Sequence, residues 1–221
     1  GFFIVKIMKY QNVIFDLDST LSSIEGIDEL GKLKNMGERI KNLTRQAMSG
    51  QLPFGEVFIR RLKLIRPTQG ELFAIGKLYR DSITHGATEI INWLHQRKTN
   101  IFVVTGGYTD CSYPLTDYLG IPRKNVFANR LIFDKEGQFK EVDQRIPLWR
   151  DDGKIKVVSE IIALHPGKTI CIGDGISDWK AGQIADGFIC FAGIVYRPEV
   201  TTKTDIVIKE QNLMKLRRYL M

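Results

Sequence analysis

Val13-Ile14-Phe15-Asp16-Leu17-Asp18-Ser19-Thr20 sets three consecutive apolar residues against two carboxylates spaced two apart, followed by two hydroxyl side chains. A short apolar run bounded by turn chemistry reads as a buried strand, and open α/β sheets bind their ligands beyond the carboxyl ends of such strands. Asp16 and Asp18 therefore stand where chemistry is done. The same residue types also suit an ordinary turn or a helix cap. A second acidic pair weighs against turns alone: Asp174 and Asp178 follow the apolar run Thr169-Ile170-Cys171-Ile172 through Gly173-Asp174-Gly175.

Outward from this stretch, residues 25–79 carry helical periodicity and no convincing strand. Beyond them, strand-like runs at residues 101–104, 169–172, 188–191 and 206–208 alternate with helical stretches such as 88–96. That alternation predicts an α/β fold, a mainly parallel sheet covered by helices, interrupted by a helical insertion after its first strand. Residues 125–143, with the turn Asp134-Lys135-Glu136-Gly137, predict a β-hairpin on the sheet domain. Within the insertion, 100° spacing over residues 54–65 puts Phe54, Val57, Phe58, Leu62, Leu64 and Ile65 on one helix face. Arg61 falls in the middle of that face, so it must snorkel, pair with a buried acid or face a ligand cavity.

The chain's 221 residues, 43% hydrophobic and 26% charged, are ordinary for a globular protein able to bury a full core. The formal charge of +7 comes from lysines and arginines scattered along the chain. Scattering favours a solvated surface that steers phosphorylated small molecules over a nucleic-acid partner. Cys111, Cys171 and Cys190 are odd in number and lack a paired spacing, which fits a reducing cytoplasm. No run reaches membrane-spanning length, and Phe2-Phe3-Ile4-Val5, after Gly1, is too short for a secretion signal. No membrane partner is expected.

Four carboxylates cannot share a site without a cation. Asp16, Asp18 and Asp174 suit a hard, oxygen-ligated ion such as Mg²⁺, whereas His85, His95 and His165 lie apart without metal spacing. Thr105-Gly106-Gly107 closes the 101–104 strand with a hydroxyl and unobstructed backbone N–H groups. It is either a phosphate cradle or a plain glycine turn. Lys154 opens a helical pattern with Val157, Val158, Ile161 and Ile162 on one face, and is either a phosphate-neutralising group or a surface lysine. Gly167-Lys168-Thr169 imitates the end of a nucleotide-binding loop, but it precedes a strand and lacks the earlier glycine, so that reading is rejected.

In this order, Asp16-x-Asp18-Ser19-Thr20, Thr105-Gly106-Gly107, Lys154 and Gly173-Asp174-Gly175-Ile176-Ser177-Asp178 resemble the four motifs of the haloacid dehalogenase superfamily. Glu25-Gly26-Ile27-Asp28-Glu29-Leu30, Met48 through Phe54, Arg61-Leu62 and Asn125 through Leu131 narrow the resemblance to its phosphoserine phosphatase family. The resemblance implies a Rossmann-like core of residues 1–21 and 82–221, with helices on both sheet faces and a small helical-bundle cap of residues 22–81. It implies a Mg²⁺-dependent phosphomonoesterase of serine biosynthesis that acts on a small phosphorylated metabolite, as monomer or homodimer. Asp16 would be the nucleophile and Asp18 the general acid and base. Asp16, Asp174 and the Asp18 carbonyl would hold the metal, supported from behind by Asp178. Thr105, Gly106, Gly107 and Lys154 would hold the phosphoryl group. Glu25, Met48, Phe54 and Arg61 would bind the amino-acid part of phosphoserine.

Several positions depart from the family pattern. Thr105 replaces a serine, Ser49 a glycine, and Ile24 an acid beside Glu25. Glycine and lysine are inverted at Asp152-Gly153-Lys154, which leaves Lys156 as a second candidate for the phosphate lysine. Ser22-Ser23-Ile24-Glu25 also fits a helix capping box, a rival role for Glu25. The competing functions are a phosphatase or phosphotransferase for another small phosphoester, and a non-catalytic binding protein of this fold.

Overall fold

The computed structural model describes residues 8–221; Gly1 and the Phe2 to Val5 run lie outside the described residues. Asn12–Phe15 forms β1, buried along its whole length. Val13 and Phe15 point into one core cluster and Ile14 into another, as strand alternation requires. A strand buried on both faces belongs in the middle of a parallel sheet, and β1 pairs in parallel with β2 (Asn100–Tyr108) on one side. After β3 (Val126–Asn129) come the hairpin strands β4 (Leu131–Phe133) and β5 (Phe139–Val142), then β6 (Thr169–Gly173), β7 (Gly187–Phe191) and β8 (Val207–Ile208). β6 flanks β1 on its other side. The sheet runs β3-β2-β1-β6-β7-β8 with every pair parallel.

The strand order reverses direction between β1 and β6, where the carboxyl ends of doubly wound sheets open a ligand crevice. Helices cover both faces. Before β2 the chain forms α1 (Gly26–Leu33), α2 (Gly37–Met48), α3 (Phe54–Ile65), α4 (Gln69–Asp81) and α5 (Ala87–Gln96). α6 (Thr109–Tyr118), α7 (Gly153–Leu164), α8 (Ile176–Gly182) and two four-residue helices, α9 (Pro198–Thr201) and α10 (Arg217–Leu220), follow. Ile90, Ile91 and Leu94 of α5 and Leu115 of α6 pack on the Val13 face, and Val157, Val158 and Ile161 of α7 pack on the Ile14 face.

α1 to α4 interrupt the sheet where the helical periodicity places them. The chain leaves and re-enters side by side: Ser22 bridges Ile83, Ser23 N–H donates to the Ser82 carbonyl at 2.8 Å, and Thr84 N–H to the Leu21 carbonyl at 2.9 Å. Leu30, Ile40, Leu43, Val57, Phe58, Leu62, Leu72 and Ile75 make the interior shared by these helices. Gly76 lets α4 approach α6, because a Cβ there would meet Pro114 at 2.8 Å. Two local expectations need correction. Only Leu131–Phe133 and Phe139–Val142 form the hairpin, while Val126–Asn129 joins the parallel sheet beside β2. Thr105, Gly106 and Gly107 are not a turn; β2 runs through them to Tyr108, with a register irregularity against β3 where the glycines lie.

α3 begins after Pro53 with no cap from its own chain neighbours. Asp151, from the loop before α7, supplies one: its carboxylate accepts from Phe54 N–H at 2.6 Å and Gly55 N–H at 3.4 Å. The acid satisfies first-turn donors and meets the positive end of the helix dipole. Replacing Asp151 with Ala lowers unfolding stability by about 1 kcal/mol in urea titration, and a neutral Asn at the position recovers part of the loss.

Candidate active site

β1 and β6 are hydrogen-bonded neighbours, so their register delivers Asp16 and Asp174 to adjacent positions. Phe15 pairs with Ile172, and Asp16 N–H donates to the Ile172 carbonyl at 2.9 Å. Past Asp16 the chain makes a wide turn closed by Ser22 N–H on the Leu17 carbonyl at 2.9 Å, with Ser19 in the left-handed region at φ 51°. That turn brings Asp18 back over the strand end. Asp16, Asp174 and Asp178 each place a carboxylate oxygen within 4.8 Å of the others.

Two cations hold these acids together. Lys154, at the second position of α7 and 7% exposed, sets its Nζ 2.9 Å from Asp16 Oδ1 and 2.6 Å from Asp178 Oδ1. Lys156 is at the surface, paired with Asp152, so of the two lysines only Lys154 reaches the site. The inverted Gly153 has its own reason: a Cβ there would collide with the backbone of Pro147 and Leu148, against which α7 starts. Burial pulls the Lys154 amine down, but Asp16 and Asp178 override it and hold the amine charged. The second cation, Arg197, was missed by sequence reasoning. Its Nε donates to Asp174 Oδ2 at 2.8 Å and its Nη2 to Glu25 Oε1 at 3.1 Å. Arg197 lies in a loop just before α9, where no periodicity marks an inward-facing charge.

Glu25 does not close a capping box. It precedes α1 without a side-chain cap bond, and its Oε1 accepts from Ser19 Oγ at 2.8 Å as well as from Arg197. Ser22 Oγ instead donates to the Tyr79 and Ser82 carbonyls. It is Asp18 that reaches the start of α1: its Oδ1 accepts from Gly26 N–H at 2.7 Å and from the Tyr79 hydroxyl. Tyr79 is a second residue without a sequence signal, since it reads as one more apolar position of α4. Arg61, 3% exposed, donates through Nη1 to Thr44 Oγ1 at 3.0 Å, and Thr44 donates to Asp28. Its guanidinium also lies 5.9 Å from the Phe54 ring. No carboxylate pairs with Arg61 directly among the described residues, so part of its donor fork remains free for an anion.

One cleft is lined by Asp16, Asp18, Asp174 and Lys154 on the sheet side and by Glu25, Met48, Phe54 and Arg61 on the helical side, with Gly106 and Gly107 between. Gly106 faces Phe54, which a Cβ would contact at 2.8 Å, and Gly107 N–H donates to Thr105 Oγ1 at 3.0 Å. The enclosed volume is about 30 Å³, room for a few waters only. For a hard cation the donor chemistry fits. Asp16 Oδ2 and Asp174 Oδ1 have no described hydrogen bond, while both oxygens of Asp178 are engaged by Lys154 and Gly175 N–H. Asp178 is thereby suited to holding Lys154 more than to ligation.

Burial, reinforced by the neighbouring Asp16 charge, pushes the Asp18 carboxyl up to about 6. Burial also raises Asp174, Asp178 and Glu25, the last further lifted by Asp18 and Asp174. Without a metal, the folded chain thus binds more protons than the unfolded chain between about pH 4, where unfolded carboxylates titrate, and pH 6. Stability falls as pH rises through that window. Asp143, held at about 2 by Arg145, acts below it. In chelator the melting temperature is expected to be roughly 5 °C higher at pH 5 than at pH 7.5, and saturating Mg²⁺ removes the difference by stabilising the ionised cluster. Equal melting temperatures in chelator would contradict this.

Comparison with known proteins places the site in a family. The family model for haloacid dehalogenase-like hydrolases matches residues 10–186. Phosphoserine phosphatase of Bos taurus is 35% identical over 199 residues, covering 90% of this chain and 88% of that protein. A solved phosphoserine phosphohydrolase-like protein from Francisella tularensis superposes with a TM-score of 0.88 at 27% identity, covering 96% of this chain and all of the other. A structure described as a phospho-aspartyl intermediate analogue of phosphoserine phosphatase superposes with a TM-score of 0.84 at 27% identity, again over 96% and 100% of the two chains.

Proposed function

Because the chain belongs to the haloacid dehalogenase-like hydrolase family, we propose that it is a Mg²⁺-dependent phosphomonoesterase that hydrolyses O-phospho-L-serine, as in serine biosynthesis. The observation that carries this reading is the pairing, across one cleft, of the Asp16, Asp18, Asp174 and Lys154 cluster with Arg61 and Glu25. The first set suits a phosphoryl group and the second a zwitterionic amino acid. Three buried free thiols support a reducing compartment such as the cytoplasm, and no described helix is long and apolar enough to cross a membrane. Residues 22–81 act as a cap over a core made of the remainder.

Asp16 attacks phosphorus through one carboxylate oxygen, the bond to the serine oxygen breaks, and Asp18 gives that oxygen a proton. Water then attacks the aspartyl-phosphate, Asp18 takes its proton, and the bond from phosphorus to Asp16 breaks. Lys154 and the Gly106 backbone hold the phosphoryl oxygens, with Thr105 and Gly107 beside them, and Asp178 fixes Lys154. Asp16, the Asp18 carbonyl and Asp174 would hold a bound Mg²⁺, which would neutralise charge as the anions approach one another. Arg61 takes the substrate carboxylate, Glu25 its ammonium, and Met48 and Phe54 line its sides.

A panel of phosphorylated amino acids, sugars and nucleotides is expected to give fastest phosphate release from phosphoserine. Release falls to background in chelator and in Asp16→Asn. Arg61→Ala raises the KM for phosphoserine roughly 10- to 100-fold, as loss of charged hydrogen bonds requires, and leaves phosphoethanolamine nearly unaffected because it has no carboxylate. Faster turnover of a sugar phosphate would move the assignment to another small phosphoester.

A cleft of about 30 Å³ does not admit phosphoserine as it stands, so the cap opens to load substrate and closes to exclude water. Hydrogen exchange in α1 and α3 should slow when a phosphate mimic such as beryllofluoride is added with Mg²⁺. Identical protection with and without it would rule this motion out.

A further inference from the structure

Asp18 is described above as an acid and base, but a carboxyl group has two oxygens and only one can carry the transferred proton. The structure distinguishes them. Oδ1 accepts two hydrogen bonds, from the Tyr79 hydroxyl and from Gly26 N–H at 2.7 Å. Oδ2 makes only a long contact, 3.4 Å, with Thr105 Oγ1, and it faces Gly107 at the end of β2. An oxygen that accepts two donors takes the carbonyl role in the protonated acid, which leaves the proton on the other oxygen. Gly26 N–H also donates to the phenol oxygen at 3.1 Å, so the two donors brace each other. The arrangement is built: Tyr79 is 1% exposed, and residue 26 has to be glycine because any Cβ would overlap the phenol.

We propose that Tyr79, reaching across from the last cap helix, is a positioning residue that holds Asp18 Oδ1 and so directs proton transfer through Oδ2. This rests on the reading of Asp18 as the acid and base. In the first half-reaction, the bond from phosphorus to the leaving oxygen breaks, its electron pair stays on that oxygen, and the oxygen takes the Oδ2 proton. In the second, the attacking water forms a bond to phosphorus and returns a proton to Oδ2 as Asp16 departs. Because Tyr79 lies on α4, the same contact ties the orientation of the acid to the placement of the cap.

The test uses leaving groups. Phosphoserine releases an alkoxide that needs a proton, whereas acetyl phosphate and p-nitrophenyl phosphate release anions that do not. Tyr79→Phe in the full chain with Mg²⁺ is expected to lower kcat/KM for phosphoserine roughly tenfold, part of the total effect of an acid catalyst. For the two activated esters, kcat/KM changes less than twofold. Tyr79→Met, which fills the space without a donor, should behave alike and covers the case in which Phe misfolds; melting temperatures identify that case. Asp18→Asn sets the scale with a larger loss of the same selectivity. If Asp18→Asn discriminates and both Tyr79 variants lower all three substrates equally, or none, the inference fails alone. If Asp18→Asn does not discriminate, the general-acid reading fails and takes this inference with it.

Discussion

The buried negative charge at the carboxyl ends of β1 and β6 governs this structure. Asp16, Asp174 and Asp178 bring carboxylate oxygens within 4.8 Å of one another with Asp18 and Glu25 close by, and Asp16, Asp174 and Asp178 are buried. Isolated carboxylates so placed would each cost several kcal/mol. Lys154 and Arg197 offset part of that cost and a divalent ion would offset more. The parallel register of β1 and β6 makes the convergence unavoidable, since neighbouring strand ends necessarily present their next residues side by side.

The two cations come from different directions, and this connects the charge cluster to the rest of the fold. Lys154 arrives on α7, whose start is pressed against the 147–148 backbone where only glycine fits at position 153. Arg197 arrives from the loop before α9 and joins Asp174 to Glu25, a residue at the mouth of α1. Tyr79 joins α4 to Asp18, and Asp151 joins the core to the start of α3. The start of α1, the start of α3 and α4 are thereby each tied to the core by a polar contact.

Much of this was legible beforehand because it follows from local periodicity. The Asp16 strand, the helix from Phe54 to Ile65 with Arg61 buried in its apolar face, and the helix opening at Lys154 all appear where one-dimensional patterns place them. Other features were not legible. Ser22 and Glu25 have capping-box spacing, yet the Ser22 hydroxyl finds the carbonyls of residues 79 and 82 and the Glu25 carboxylate finds Ser19 and Arg197. Local pattern and tertiary partner competed, and the partner won. Likewise, Gly106 and Gly107 look like a turn but lie within β2, where their missing side chains make room for Phe54 and for the Asp18 carboxyl.

What the chain determined by itself is the set of strand ends and helix faces, because alternation and 3.6-residue periodicity are properties of covalent geometry and need no distant contact. Which charges meet was decided only by the tertiary structure. Asp174 faces Arg197, Lys154 faces both Asp16 and Asp178, and Tyr79 faces Asp18 across 61 positions of sequence. A charge or hydroxyl one residue before a short helix, or on the apolar side of a long one, has no periodic signature. Its partner is chosen by how the sheet order and the four-helix insertion fold over one another.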